Sequence, residues 1–200
     1  MKSLDKLIVF IIVLFILIAG ITFAESPFGL EMGMTFEEIK TNTGKIPTLH
    51  HNDFYNVDPL PQYKDDRFLS YNVQMNPKHG TVMIRAIGKN IRTDKYGHEL
   101  IKVFMNMLDE LKREYGEFSS LGLSRKELLK ESEGFMRRLL INEIHLEFEL
   151  NRNEATKYAY ISKISIKAVA DSQSTGHIVL EYHSSKRNTE INSLISEVGP

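Results

Sequence analysis

Four runs of strand-like alternation, arranged as two neighbouring pairs, constrain the fold of this 200-residue chain more than any other feature. The first pair is RFLSYNVQM and TVMIRAIGKNI, which are joined by the turn sequence NPKHG. The second pair is YISKISIKAVA and HIVLEYHS, which are joined by DSQSTG. Because apolar residues at period two on both sides of a short polar turn are typical of a β-hairpin, the sequence predicts two hairpins.

The alternation also predicts which side chains share a face. On the first strand, one face carries Leu69, Tyr71, Val73 and Met75. In the second hairpin, the residues expected to face each other are Ile164, Ile166 and Ala168 on one strand and Ile178, Leu180 and Tyr182 on the other. Such cross-strand apolar pairs are a main source of sheet stability.

Helical patterns lie between and around the hairpins. In HELIKVFMNMLDELKREYG, apolar residues recur at helical spacing from Leu100 to Tyr115, and the following glycine is placed to end the helix. Nearer the N-terminus, Thr35 and Glu38 have the spacing of a capping box, and Gly44 is placed to end a helix of about two turns. The preceding FGLEM predicts a brief strand.

The region after the long helix has two interpretations. Ser124 and Glu127 repeat the capping-box spacing, which predicts a helix that extends to about residue 150 and is interrupted near Gly134. However, IHLEFEL also alternates at period two, which is typical of a strand. The sequence NTEINSLISEV predicts a closing helix capped by Asn188.

Together these elements predict an α+β fold: an antiparallel sheet of about four to five strands (two hairpins) with helices packed on one face. Hydrophobic residues make up 42% of the chain, which indicates a packed globule. Residues 25–200 are expected to form a single exported domain, because this length suits one hydrophobic core.

Residues 1–24, MKSLDKLIVFIIVLFILIAGITFA, have the pattern of an export signal. A basic start is followed by an apolar stretch over residues 7–19, and Thr22 with Ala24 gives a small-residue cleavage pattern. We therefore expect a periplasmic or secreted protein. The alternative is an uncleaved anchor, in which residues 7–24 hold the domain at the inner membrane.

Charge and cysteine content exclude several classes of function. The formal net charge is −1, so there is no overall basic character that would predict nucleic-acid binding. The chain has no cysteine, which rules out disulfides, thiol catalysis and a lipid-bearing cysteine. Membrane contact is expected only through the N-terminal segment, if it is uncleaved.

The sequence HHND supplies the best candidates for a metal site. His50, His51 and Asp53 are ligand types that bind zinc and other divalent metals. Adjacent histidines in a strand point to opposite sides, so a bent backbone would be needed to bring them to one metal.

Other histidines give weaker signals. HELIK begins like a zinc-protease helix, but Lys102 occupies the position of the second histidine. His177 and His183 lie on one face of the last strand and are expected to face solvent. The chain has no nucleophile elbow, P-loop or dinucleotide fingerprint, so we predict no cofactor and name no catalytic residue.

Several of these stretches resemble known proteins. PFGLEMGMTFEEIKTNTGKIP, the unit from GTVMIRAIGKNI to KREYG, and the late hairpin are similar to small exported bacterial proteins of unknown function with a mature FGL.xGM opening. GMTFEEIKTNTGKIP is also similar, over about fifteen residues, to the opening of small outer-membrane-assembly lipoproteins, although this chain lacks their lipid-bearing cysteine. The resemblance implies an envelope location and no particular chemistry.

Two classes of function are therefore expected. The first is a non-catalytic binding or assembly module that uses the polar connection over residues 50–66 or a sheet edge to hold an envelope protein or peptide. The alternative is a metal-dependent or other hydrolase that uses the loop histidines. Because no nucleophile or complete ligand set is recognisable, the sequence favours the binding module and leans against an enzyme.

Overall fold

The computed structural model describes residues 26–124, 127, 134–151 and 160–185. The predicted leader, residues 1–24, and the predicted closing helix at Asn188 lie outside these ranges. Within the ranges, no helix has both the length and the apolar character needed to cross a membrane.

One antiparallel sheet of nine strands dominates the described part of the chain. The strands are β1 (Thr48–His51), β2 (Phe54–Val57), β3 (Phe68–Asn76), β4 (Gly80–Gly88), β5 (Ile91–Arg92), β6 (Ser119–Ser120), β7 (Leu146–Asn151), β8 (Ile161–Ala170) and β9 (Thr175–Ser184). Their order across the sheet is β1-β2-β3-β4-β9-β8-β7-β6, and β5 pairs with the start of β9. The predicted α+β fold with about four to five strands is therefore wrong, because the two hairpins are only the centre of a larger, sheet-dominated fold.

Helices are few in the described ranges. The α-helices are α1 (Phe36–Thr43), α2 (His98–Tyr115) and α3 (Phe135–Leu140), and short 3-10 turns lie at Pro27–Gly29 and Pro61–Tyr63. Both predicted hairpins are confirmed as β3 with β4 and β8 with β9. The predicted long amphipathic helix is confirmed as α2, which ends at Gly116.

The start of α1 has the predicted capping box. The Thr35 backbone N–H donates to the Glu38 carboxylate at 2.7 Å, and the Glu38 N–H donates to Thr35 Oγ1 at 3.4 Å. Gly44 ends the helix with a left-handed φ of 70°. The brief strand predicted before this helix is wrong, because a 3-10 turn occupies Pro27–Gly29.

The ambiguous region after α2 is resolved in favour of a strand. Ser124 and Glu127 do form a reciprocal pair, in which the Ser124 N–H donates to the Glu127 carboxylate at 2.8 Å. The prediction of a helix to about residue 150 is nevertheless wrong, because β7 begins at Leu146. Pairing with β8 places Leu146 opposite Ala168, so the period-two pattern buries the apolar side chains against the sheet core.

The hydrophobic core lies on one face of the sheet, under the helices. Core side chains from the helices include Ile39 of α1, Phe104 and Leu108 of α2 and Phe135 of α3. The sheet contributes alternate residues of its central strands, which are Tyr71, Val73, Ile84, Ala86, Ile164, Ile166, Ile178, Leu180 and Tyr182. The predicted pairs of the second hairpin are confirmed within this set, for example Ile166 opposite Leu180.

The other face of the central strands carries polar side chains. One row across β2, β3, β4, β9, β8 and β7 consists of Asn56, Asn72, Arg85, Glu181, Ser165 and Glu149. Asn72 and Glu181 in this row are buried. Met83 and Val179 are also buried on this face, so it mixes polar and apolar side chains, whereas the first face contributes to the main hydrophobic cluster.

Candidate functional site

A cleft of about 600 Å³ opens between the N-terminal turn, helix α2 and the end of the sheet at which β3 begins. The turn contributes Ser26–Gly29, and α2 contributes Met107, Glu110, Leu111, Glu114 and Tyr115. The sheet contributes Phe68, Leu180 and Tyr182, and the chain before β3 contributes Leu60, Tyr63, Asp65 and Arg67. This volume is within the range of sites that bind small ligands or inserted side chains.

Aromatic rings form the floor of the cleft. The Phe28 ring lies edge-on to Tyr71 at 4.9 Å, to Phe68 at 5.4 Å and to Tyr182 at 6.1 Å, measured between ring centroids. Edge-to-face contacts of this kind are favourable beyond the area they bury. They hold the N-terminal turn against the sheet and fix one wall of the cleft.

The backbone of the N-terminal turn is unusual. Phe28 has a φ of 60°, a left-handed conformation that is strained for a bulky residue. The neighbouring Gly29 has a φ of 70°, and a side chain there would collide with the Tyr63 ring. The ring packing of Phe28 offsets the strain, and the glycine lets Tyr63 close over the turn at the mouth of the cleft.

Two tyrosine hydroxyls lie deeper in the cleft. Tyr115 and Tyr182 are both buried, and their rings are 6.0 Å apart in an edge-on arrangement. Burial raises the pKa of each tyrosine above its usual value, and the two hydroxyls share a hydrogen bond. Both groups are therefore neutral at physiological pH, and they add two hydroxyls to a lining that also carries charged side chains.

An ion-pair network marks one side of the cleft. The Arg67 guanidinium contacts the Asp65 carboxylate through Nε at 2.9 Å and Nη2 at 2.7 Å, and Glu110 through Nη1 at 2.6 Å. Burial acts to raise the pKa of Asp65, but the bonds from Arg67 outweigh it and the pKa is lowered. The Asp65 carboxylate also raises the pKa of Arg67, so the pair stays charged.

The charge of the lining residues is negative. Glu31, Asp65, Glu110 and Glu114 are acidic, whereas Arg67 is the single basic residue that lines the cleft in the described ranges. Because Asp65 and Glu110 share the Arg67 guanidinium, the charges of Glu31 and Glu114 have no cationic counterpart among these lining residues. The cleft is thus an aromatic surface with an acidic margin.

The predicted metal-ligand residues lie elsewhere, at the β1 edge of the sheet. His50 and His51 are exposed in β1, and Asp53 follows in the turn to β2. Asp53 accepts a hydrogen bond from Gln74 Nε2 at 2.7 Å, and His51 Nε2 lies 3.5 Å from Asn52 Nδ2. Across residues 26–124, 127, 134–151 and 160–185, no group of three or more histidine, aspartate and glutamate side chains is placed to hold a metal ion.

A second polar cluster lies on the face of the sheet opposite the core. Glu181 Oε1 lies 2.7 Å from Arg85 Nε and 3.9 Å from Lys167 Nζ, and Glu181 Oε2 lies 3.4 Å from His183 Nε2. Burial acts to raise the pKa of Glu181, but the hydrogen bond with His183 and the charges of Lys167 and Arg85 outweigh it and lower the pKa to about 2. The Arg85 guanidinium also stacks over the Phe54 ring. Since three basic side chains surround the Glu181 carboxylate, we attribute the cluster to stability.

The histidines of the last strand differ in their surroundings. His177 Nδ1 lies 3.0 Å from the Asp171 carboxylate near the hairpin turn. His183 is buried beside Glu181, so the expectation that it faces solvent is wrong. At the start of α2, His98 Nδ1 lies 2.6 Å from Asp94 and is exposed. None of these pairs lines the cleft.

Sequence reasoning missed the cleft because its residues come from distant parts of the chain. The turn at residues 26–29, helix α2 and strand β9 converge only after the sheet has formed. One local signal was present in PFGL, where the Pro-Phe-Gly order suits a tight turn as well as a strand. Comparisons of the chain with models of protein families, with curated proteins and with solved structures found no match.

Proposed function

We propose that this protein is an exported binding module of the bacterial envelope, and that the cleft holds part of a protein or peptide partner. The observation that carries the proposal is the cleft itself, which is about 600 Å³ in volume and has aromatic rings in its floor. Binding sites in proteins are usually concave and combine apolar and aromatic side chains with a few polar groups. The export pattern of residues 1–24 supports the envelope location.

The rigidity of the cleft supports binding over a purely structural role. Its walls are a turn held by Phe28, an 18-residue helix and the centre of the sheet. A preformed site of this kind loses little conformational entropy when a partner binds. The left-handed backbone of Phe28 turns the chain so that Ser26 and Pro27 line one wall of the cleft.

The test is a selection of peptides from a randomised display library against the protein purified from the envelope of an expressing bacterium. We expect enrichment of peptides that bind the wild-type protein and lose binding to Asn42→Trp. Asn42 is exposed on α1 and lines the cleft, so an indole at this position would obstruct part of it.

The matched control is Lys40→Trp, which places the same indole on the same helix at an exposed position outside the cleft. The Lys40 side chain pairs with the exposed Glu37 at 3.2 Å, an ion pair that contributes little to stability. Peptides that bind both tryptophan variants as tightly as wild type would contradict the proposal, as would a selection that enriches nothing.

A further inference from the structure

The acidic margin of the cleft has a chemistry that points to one kind of partner group. Four carboxylates and one guanidinium line the cleft, and the guanidinium of Arg67 is already shared by Asp65 and Glu110. Glu31 accepts a hydrogen bond from Ser26 at 3.4 Å and Glu114 bonds with Tyr115, but neither carboxylate has a basic partner among the described residues that line the cleft. Charge complementarity favours a cation at this position and disfavours a carboxylate or phosphate.

The floor of the cleft adds a second requirement. Phe28, Phe68, Leu180, Tyr115 and Tyr182 line the cleft, and the rings of Phe28 and Tyr115 lie edge-on to Tyr182 at 6.1 and 6.0 Å. Aromatic faces attract a cation as well as the methylene groups that carry it. The entering group should therefore have an apolar stem that packs on the rings and a charged tip that reaches the margin.

Resting on the function proposed above, we propose that the partner is a peptide segment that inserts a lysine or arginine side chain into this cleft. The stem of such a side chain packs on the rings while its charged head stays near polar groups. Glu114, exposed on the last turn of α2, and Glu31, exposed after the N-terminal turn, receive the cation. An apolar neighbour of the basic residue in the peptide covers the remaining aromatic surface.

The experiment compares three capped pentapeptides of sequence Gly-Leu-X-Leu-Gly, in which X is lysine, norleucine or glutamate. Norleucine keeps the apolar stem and removes the ammonium group, so the difference isolates the charge. We expect the lysine peptide to bind at least about tenfold more tightly than the norleucine peptide, with the glutamate peptide weakest. The affinity of the lysine peptide should fall as salt is raised, because exposed charges are screened.

A second experiment changes the protein instead of the peptide: Glu114→Gln is the test variant, and Glu99→Gln is its matched control. Both residues are exposed on α2 and both variants remove one negative charge, but only Glu114 lines the cleft. We expect Glu114→Gln to reduce the preference for lysine over norleucine several-fold and Glu99→Gln to leave it unchanged.

The outcomes separate this inference from the proposed function. One outcome is that all three peptides bind equally well, or that the norleucine or glutamate peptide binds best, while Asn42→Trp still abolishes binding. The cleft is then a binding site, but the proposed preference for a basic side chain is refuted. If no pentapeptide binds, the inference is also refuted. In that case the library selection decides independently whether the cleft binds peptides of other chemistry.

Discussion

Replacing Glu181 with glutamine should remove a large, pH-dependent part of the stability of this protein. The carboxylate is buried on the polar face of β9, where Arg85 Nε lies 2.7 Å from Oε1. Lys167 and His183 approach the same carboxylate at 3.9 Å and 3.4 Å. Glutamine has the same shape but no charge, so the variant leaves Arg85 with a much weaker partner.

The size of the effect follows from the pKa of Glu181. Its pKa falls from 4.5 to about 2 on folding, and each unit corresponds to about 1.36 kcal/mol. The charged carboxylate therefore contributes about 3 kcal/mol to the free energy of unfolding. Because the folded pKa is the lower one, this contribution is complete above about pH 4.5 and is lost as the pH falls towards about 2.

The assay is urea unfolding of both proteins at a series of pH values from about 7 to about 2.5. We expect Glu181→Gln to be about 2 to 4 kcal/mol less stable at neutral pH, with a difference that shrinks as the pH falls below about 4.5. Glu147→Gln, at a half-buried position on β7, which is separated from β9 by β8, is the control and should keep the wild-type pH dependence. Equal loss of stability in wild type and Glu181→Gln across the acid range would refute the reasoning.

Four further predictions concern the core, the first helix cap, the N-terminal segment and the metal content of the protein. Leu108→Ala should lower the free energy of unfolding by about 2 to 5 kcal/mol, because Leu108 is buried at the centre of α2; an unchanged urea midpoint would contradict this. Thr35→Ala should lower the free energy of unfolding by about 1 kcal/mol. Because Thr35→Ala and Glu38→Ala break the same capping box, the double variant should lose less stability than the two single variants together. Strictly additive losses would show that the two groups act separately. The intact mass of the protein taken from its native envelope should be that of a chain without residues 1–24. A mass that includes these residues would support an uncleaved N-terminal anchor. Metal analysis of that protein tests the hydrolase alternative. This alternative requires that the protein contain stoichiometric metal and that the His50→Ala variant lose it.

The centre of the sheet was predictable because its signals are local. Each hairpin joins two alternating strands through a short turn, so neighbouring residues alone determine the pairing. Strands β1 and β6 were harder to predict because they are only four and two residues long and gain stability only from the sheet beside them. For β7, Ile144 and Phe148 fit both helical and strand spacing, and only the partner strand β8 decides between them.

The face of individual side chains was less predictable because bulges change the alternation. Leu69 was expected on the same face as Tyr71, yet it is 70% exposed. The register of β3 against β4 shifts between Phe68 and Ser70, which turns Leu69 outward and Phe68 into the core. This irregularity also places the Phe68 ring in the cleft.

The location of the cleft was not predictable from local sequence patterns. The binding module was expected to use the polar connection over residues 50–66 or a sheet edge, and only the end of that connection reaches the cleft, through Leu60, Tyr63 and Asp65. The other walls belong to segments far apart in the chain, and no local spacing links Phe28 with Tyr182. Such convergence depends on the strand order, which places β9 at the centre of the sheet beside β4.

The most direct test of the proposed site is NMR chemical-shift mapping of the isotope-labelled protein with the tightest peptide from the library selection. The account predicts that the largest amide shifts fall in residues 26–29, in the second half of α2 and around Tyr182. It also predicts that His50 and Asp53, at the β1 edge, remain unperturbed. Shifts that cluster at that edge, or on the polar face around Glu181, would contradict the assignment of the cleft as the binding site.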